Sequence, residues 1–173
     1  MEDKLELKNE ELKEGLKVYD LYGAPLVDEY AQELDNKVKE VNEYITRCKK
    51  YNLDYDIPTL QQFLMELASI NYFVSERVEK LGSLSDYAKL AMETKYSEEY
   101  IKKQGTNDAG TKYSVAQLKS WADSQIIEEK ILNFVYSHAY KTLSTKVAQG
   151  ETIRNSINKI LSLKIESVKK GNY

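Results

Sequence analysis

Apolar residues recur at steps of three and four along most of this chain, and only two prolines interrupt the pattern. After Pro25 the first stripe comprises Leu26, Tyr30, Leu34, Val38, Val41, Ile45 and Cys48. After Pro58 a second stripe comprises Leu60, Phe63, Leu64, Leu67, Ile70, Val74, Val78 and Leu81. This spacing places apolar side chains on one face of an α-helix, and proline suits a first helical turn because its missing N–H has no partner there. The pattern predicts an all-α protein.

The breaks in this pattern predict the helix boundaries. We expect helices at 25–51, 58–103, 113–149 and 151–169 within one domain, 25–173. Gly82 is expected to lie inside the second helix, bent or nicked there, at roughly 1 kcal/mol relative to alanine. The segment 104–112, rich in Gly, Asn and Asp, is the predicted turn between the long helices, and Gly150 is the predicted corner before the last helix.

Residues 1–24 form a predicted N-terminal arm or short helix. Its loose apolar pattern comprises Leu5, Leu12, Leu16 and Tyr19. Neither this start nor any later run has the apolar length that crosses a bilayer, so the expected location is the cytoplasm. Cys48 is the only cysteine, which agrees with a reducing compartment because no intrachain disulfide is available.

The predicted helix after the turn is longer than a compact domain needs, because about 35 residues span roughly 50 Å. Helices of that length bury their stripes as a hairpin, as a coiled coil or by oligomerising. We therefore expect an elongated bundle of two long antiparallel helices, with N- and C-terminal helices against them, that forms a homo-oligomer. Trp121 is expected between the long helices or at a subunit contact, and the other expected oligomer contacts are Ile153, Ile157 and Ile160.

Charge is distributed unevenly along the chain, whose net charge is −3. Residues 1–108 carry 15 Lys and Arg against 23 Asp and Glu, a net −8, and residues 109–173 carry 10 against 5, a net +5. The basic part suits a polyanion, but it equally suits an acidic helix of the same bundle or of a neighbouring subunit. Both interpretations stay open.

The sequence contains no pattern typical of a catalytic, cofactor or metal site. His138 is the only histidine and lies beside a helical core stripe, which predicts a structural role. The pairs Glu98/Glu99 and Glu128/Glu129 point about 100° apart on a helix, so they do not form a facing acid–base pair. GTNDAGTK lacks the Gly-Lys-Ser/Thr order of a phosphate loop. We expect a protein that is not an enzyme and needs no cofactor or metal.

Tyrosines and lysines alternate around the predicted turn. They are Tyr87, Tyr96, Tyr100 and Tyr113 with Lys89, Lys95, Lys102, Lys103 and Lys112. Such interleaving suits single-stranded nucleic acid, because lysines neutralise phosphates and aromatic rings stack on bases. The alternative is that the tyrosines lie at the edge of the core and that Glu93, Glu98 and Glu99 cancel the local charge.

Four features between residues 67 and 166 occur in a recognisable order. They are KLAMETKYSEEY at 89–100, the turn GTNDAG at 105–110, a helix with W-A-D and then I-L-N-F-V-Y-S-H-A-Y-K-T-L, and the final Gly150, Ile153 and Ile157. This order resembles the small helical recombination mediators of T-even and related tailed phages. The resemblance implies a ring-forming, non-enzymatic oligomer that binds single-stranded DNA and helps load a recombinase onto strands coated by single-strand-binding protein.

By position, the resemblance places Lys95 and Tyr96 in the basic and aromatic slots of that family, whereas Glu93 stands where the family has another base. We expect Lys95, Tyr96, Lys102 and Lys103 to contact the backbone and bases of single-stranded DNA in the host cytoplasm. The alternative function is a helical structural or interaction protein of a phage, a virion neck or internal component or a host-defence antagonist, that does not bind nucleic acid.

Overall fold

The computed structural model describes residues 12–105 and 110–170, and the regular structure in these two ranges is helical. The helices are α1, Ala24–Lys50, α2, Ile57–Lys103, α3, Val115–Gln125, and α4, Ile127–Lys170. The predicted all-α class is confirmed. Within the same two ranges, none of the helices combines the length and apolarity that spanning a bilayer requires.

The contacts within the chain form two compact units, and the single domain predicted from the sequence stays a prediction. Unit 1 contains residues Met1–Leu26 and Lys80–Tyr140, and unit 2 contains Val27–Glu79 and Lys141–Tyr173. The two long helices, α2 with 47 residues and α4 with 44, each contribute one part to unit 1 and the other part to unit 2.

In unit 1, α2 and α4 pack against each other in antiparallel directions. Ser85 of α2 and Ser137 of α4 share a hydrogen bond of 3.0 Å. Lys95, which follows Ser85 on α2, pairs with Glu129, which precedes Ser137 on α4. Gly82 lies within α2, as predicted, and a Cβ there would lie 3.2 Å from the ring of Tyr140. The buried apolar side chains of this unit among the described residues are Tyr19, Leu81, Ala88, Leu118, Ala122, Ile126, Val135 and Ala139.

The predicted helix 113–149 is two helices, α3 and α4, separated at Ile126. Ile126 has φ −117° and ψ 24°, outside the helical region, and is only 2% exposed. Its buried side chain continues the buried positions Leu118 and Ala122 of α3. The break was not predicted because the apolar spacing of the sequence continues across it.

Unit 2 is built from α1 with the first half of α2 and the second half of α4. Lys146 pairs with Asp35, Lys164 pairs with Asp54, and Lys37 pairs with Glu66 at 2.7 Å. Its fully buried large side chains are Leu34, Leu60, Leu67, Leu143, Ile157, Val27 and Val41. Cys48 is also buried, on the apolar stripe where the sequence placed it.

The predicted corner at Gly150 is wrong, because α4 continues through this residue. A Cβ at Gly150 would lie 2.6 Å from Asn71 Oδ1 and 3.0 Å from a methyl group of Leu34. Asn71 is 3% exposed and donates a hydrogen bond of 3.1 Å to Glu151. The glycine is therefore explained by a close contact inside a helix.

The N-terminal segment is helical over residues 12–18 and then makes a π-helical turn, Tyr19–Gly23. The N–H of Ala24 donates to the carbonyl of Tyr19, one residue further back than in an α-helix. A Cβ at Gly23 would overlap the ring of Tyr19. Of the predicted stripe, Tyr19 is buried, whereas Leu12 and Leu16 are 51% and 42% exposed, and Leu5 lies outside the described residues.

Candidate nucleic-acid interface

Lys103 connects the end of α2 to α3 in unit 1. Its ammonium lies 4.9 Å from the ring centroid of Tyr113 and 4.4 Å from that of Trp121. A lysine over an aromatic face at such distances makes a cation–π interaction, and this one joins two rings to one cation. The turn between the helices is positioned in part by a hydrogen bond of 3.4 Å from the N–H of Tyr113 to the carbonyl of Gly105.

A solvent-open groove of about 340 Å³ lies beside this cluster. We call it the Lys103 groove, and its lining residues are Lys103, Tyr113, Gln117, Ser120, Trp121 and Ser124. Trp121 is 38% exposed, so part of its indole ring is open to solvent. The groove therefore offers aromatic surface, one cation and several hydrogen-bonding side chains in one place.

A capping box fixes the start of α3 and one wall of this groove. Ser114 Oγ accepts from the N–H of Gln117 at 3.3 Å, and Gln117 Oε1 accepts from the N–H of Ser114 at 2.8 Å. This reciprocal pair satisfies two backbone donors that a helix start would otherwise leave open. The capping box was not predicted, although the Ser-x-x-Gln pattern at 114–117 is the sequence signal that indicates it.

Lys95, a predicted DNA contact, is held in an ion pair between α2 and α4. Its ammonium lies 2.5 Å from Glu129 Oε1, and the Glu129 side chain is only 21% exposed. The hydrogen bond raises the pKa of Lys95 and lowers the pKa of Glu129. The charge of Lys95 is thus balanced within the chain, at a position where a phosphate would have to compete with Glu129.

Lys102 and Tyr96 also have partners within unit 1. Lys102 pairs with Glu99 at 2.5 Å, and this hydrogen bond raises the pKa of Lys102. Tyr96 stacks on Tyr100 with ring centroids 6.4 Å apart and planes inclined by 24°. Of the four predicted DNA contacts, the structure places only Lys103 in the aromatic groove.

Sequence reasoning missed the partners of Lys103, although it noted both Tyr113 and Trp121 separately. Trp121 was expected between long helices or at a subunit contact. It lies 38% exposed in the groove under Lys103, and the subunit contact stays a prediction. Lys112 and Lys119, near the groove in sequence, are exposed and form no ion pair with any described residue.

The remaining candidate residues lie outside this groove. The ring of His138 stacks on Phe134 at 5.4 Å and meets the edge of Tyr19 at 4.7 Å, which agrees with its predicted packing role. Ile157 is fully buried in unit 2, so it needs no second subunit to cover it, whereas Ile153 and Ile160 are half-buried. Within 12–105 and 110–170, no group of three or more His, Cys, Asp or Glu is arranged to hold a metal ion.

No protein-family model, curated protein or solved structure matches the chain. The described residues form an all-α protein with an aromatic and cationic groove beside the turn that joins α2 to α3.

Proposed function

We propose that this chain is a non-enzymatic protein that binds single-stranded DNA in the Lys103 groove and acts as a recombination mediator. The observation that carries the proposal is the position of the Lys103 ammonium over the Tyr113 and Trp121 rings beside an open groove. Aromatic platforms next to cations are what sequence-tolerant single-strand binders use, since each stacked base contributes roughly 1–3 kcal/mol.

Binding in this groove requires an unpaired base. In the proposed complex, a base stacks on the exposed part of Trp121, and the ammonium of Lys103 contacts the neighbouring phosphate. The exposed Lys112, which directly precedes Tyr113, is placed to contact a second phosphate. A base paired inside a duplex has no free face for the ring, so single strands are preferred over duplexes.

The mediator role rests on the resemblance to the phage recombination mediators. A mediator catalyses no reaction, so this role requires no catalytic residues. The proposed DNA contacts differ from those expected from the sequence, because Lys95 and Lys102 are engaged by Glu129 and Glu99. The role predicts that the protein shortens the delay with which a recombinase hydrolyses ATP on DNA coated by single-strand-binding protein.

The groove is tested by measuring the anisotropy of a labelled oligothymidine at low salt with wild-type protein, Lys103→Gln and Lys95→Gln. Both variants remove one positive charge, but only the first removes it from the groove. We expect Lys103→Gln to weaken binding about tenfold at low salt, because a phosphate contact is lost, and Lys95→Gln to change it by less than about twofold, because its charge is balanced by Glu129. With two phosphate contacts, log K should fall against log salt with a slope of roughly −1.4.

The single tryptophan provides an independent reading, because Trp121 is the only one in the chain and it lines the groove. Stacking of a base on it should quench its fluorescence with the same midpoint as the anisotropy titration. Absence of binding at low salt, or loss of binding in Lys95→Gln but not in Lys103→Gln, contradicts the proposal.

A second candidate function is that of a helical interaction protein, and one exposed face of α2 in unit 1 favours it. Tyr87, Leu90 and Ile101 are 72%, 61% and 64% exposed. They share one side of the helix because they are separated by three and eleven residues. This candidate is favoured if no oligonucleotide binds and if light scattering gives a mass that is a multiple of the chain mass. The double variant Leu90→Gln, Ile101→Gln should then lower the measured mass.

A further inference from the structure

We infer that the Lys103 groove selects the base it binds, and that the side-chain amide of Gln117 favours a base carrying an exocyclic carbonyl oxygen over adenine. This inference rests on the proposed function, because it names the ligand of the same groove. It goes beyond that function, since general single-strand binding requires no choice among bases.

The orientation of the Gln117 amide is determined by its neighbour. Its Oε1 accepts from the backbone N–H of Ser114 at 2.8 Å. A backbone N–H only donates, so the atom facing it is the amide oxygen and the two ends of the amide are not interchangeable. The Nε2 group makes no hydrogen bond to any described residue. Gln117 therefore offers a bound molecule two N–H donors, while one of the two lone pairs of its oxygen is engaged in the helix cap.

The other polar groups of the groove add to this bias towards donors. The ammonium of Lys103 only donates. The hydroxyl of Ser124 is engaged, since it donates to the carbonyl of Trp121 at 2.7 Å and accepts from Gln125 at 3.2 Å. Ser120 and the hydroxyl of Tyr113 can each donate or accept. A base whose edge accepts hydrogen bonds is thus complementary to these groups.

The four bases differ in the group that they would present. Thymine, cytosine and guanine each carry an exocyclic carbonyl oxygen, whose two lone pairs can accept from two donors at once. Adenine accepts only at ring nitrogens such as N7, one hydrogen bond each, and its exocyclic group is an amine, which donates. An adenine amine facing Nε2 of Gln117 or the Lys103 ammonium would leave donors opposed to donors. Because the groove is open to solvent, water can satisfy these donors, and the expected difference is that of about one net hydrogen bond. Such a bond is favourable by about 0.5–1.5 kcal/mol, a ratio of about two- to twelvefold in affinity.

Two matched variants separate the effect of the Gln117 amide on base preference from the effects of added negative charge and of a lost helix cap. Gln117→Glu keeps the cap, because glutamate is the usual partner at this capping-box position, and replaces the NH₂ group with a carboxylate oxygen. Ala116→Glu adds the same negative charge at the adjacent residue, which is exposed and does not line the groove. The circular dichroism of both variants should show the helical content of the wild type.

The experiment measures the affinities of oligothymidine and oligoadenine of equal length for the three proteins by anisotropy. We expect the wild type to prefer oligothymidine by roughly three- to tenfold. Ala116→Glu should weaken both affinities and keep their ratio, while Gln117→Glu should lower the ratio to about one or below. Self-stacking of adenines affects the oligonucleotide alone, so it cancels when the ratios of the three proteins are compared.

The outcomes distinguish the inference from the proposed function. If neither oligonucleotide binds the wild type, the proposed function fails and the inference fails with it. If both bind but the wild type shows no preference, or if Gln117→Glu and Ala116→Glu give the same ratio, only the inference about Gln117 is overturned.

Discussion

Substitution of Gly150 by alanine should destabilise the protein, although alanine is the better helix former. Gly150 lies within α4, where alanine in place of glycine gains about 1 kcal/mol in helix propensity. Against this gain, the new Cβ would lie 2.6 Å from Asn71 Oδ1 and 3.0 Å from Leu34, and both of these side chains are buried. The sign of the effect therefore depends on whether those two side chains can move.

The structure indicates that they cannot move without cost. Overpacking a close contact of this kind costs about 1–3 kcal/mol, and displacing Asn71 also breaks its hydrogen bond to Glu151, a further loss of about 1 kcal/mol. After the gain in propensity is subtracted, Gly150→Ala should lower the free energy of unfolding by roughly 2 kcal/mol. For a chain of this length the melting temperature should fall by about 4–8 °C.

Gly82→Ala is the matched control, since Gly82 also lies inside a long helix. Its Cβ would lie 3.2 Å from the ring of Tyr140, which is 38% exposed and has room to shift. We expect this variant to be as stable as the wild type or more stable by up to about 1 kcal/mol. Urea unfolding followed by circular dichroism measures both variants under the same conditions.

A double variant tests the assigned cause of the destabilisation. If the clash with Asn71 is responsible, Asn71→Ala should remove much of the penalty of Gly150→Ala, and the two substitutions should be strongly non-additive. The reasoning is refuted if Gly150→Ala is as stable as Gly82→Ala, or if the effects of Gly150→Ala and Asn71→Ala simply add.

Two further predictions concern the π-helical turn and the ion pair between α2 and α4. Gly23→Ala should destabilise the protein by about 1–3 kcal/mol in urea unfolding, because the added Cβ overlaps the ring of Tyr19. The pKa of Glu129 is lowered from its ordinary 4.5, so its contribution to stability is present above pH 4.5 and is lost as the pH falls through the lower folded value. The pKa of Lys95 is raised from 10.5, so its contribution is present below pH 10.5 and is lost as the pH rises through the folded value. In Glu129→Gln, the free energy of unfolding measured with urea should fall less at both acidic and alkaline pH than in the wild type. A pH dependence equal to that of the wild type would contradict the role of this pair.

The sequence predicted the long helices where local signals agree with the packing. The second helix was expected at 58–103 and is found at Ile57–Lys103, because Pro58 sets its start and the apolar spacing persists past Gly82. Such spacing reports which face of a helix is buried, so it predicts secondary structure well wherever one face meets a core throughout its length.

The sequence could not predict which glycine is a corner and which is a close contact. Gly150 and the turn glycines Gly105 and Gly110 look alike in sequence, but only the turn glycines have positive φ, at 157° and 75°. The role of Gly150 depends on Asn71, which is far away in the chain and becomes its neighbour only after packing. The break at Ile126 was invisible for a similar reason, since its apolar side chain fits the helical spacing on both sides.

The candidate site was predicted in part, because its chemistry depends on pairs that are distant in sequence. The lysine and tyrosine content near the turn was visible, and Lys103 was among the expected contacts. The pairing of Lys95 with Glu129 joins residues on different helices, so no local pattern showed that this lysine is engaged. The contact of Lys103 with Trp121 is likewise made across the turn.

The π-helical turn Tyr19–Gly23 helps to keep buried residues that are spaced four apart on one side of a helix that has 3.6 residues per turn. The buried positions along this part of the chain are Gly15, Tyr19, Gly23, Val27 and Ala31, each four residues after the last. In an unbroken α-helix each step of four overshoots one turn by about 40°, so four steps rotate the pattern by about 160°. The π turn holds one extra residue and takes back about 100° of that rotation. Removal of a single residue here would leave a plain α-helix with the same positions facing inward, so this turn is a point where the chain can change its length by one without exchanging its buried and exposed faces.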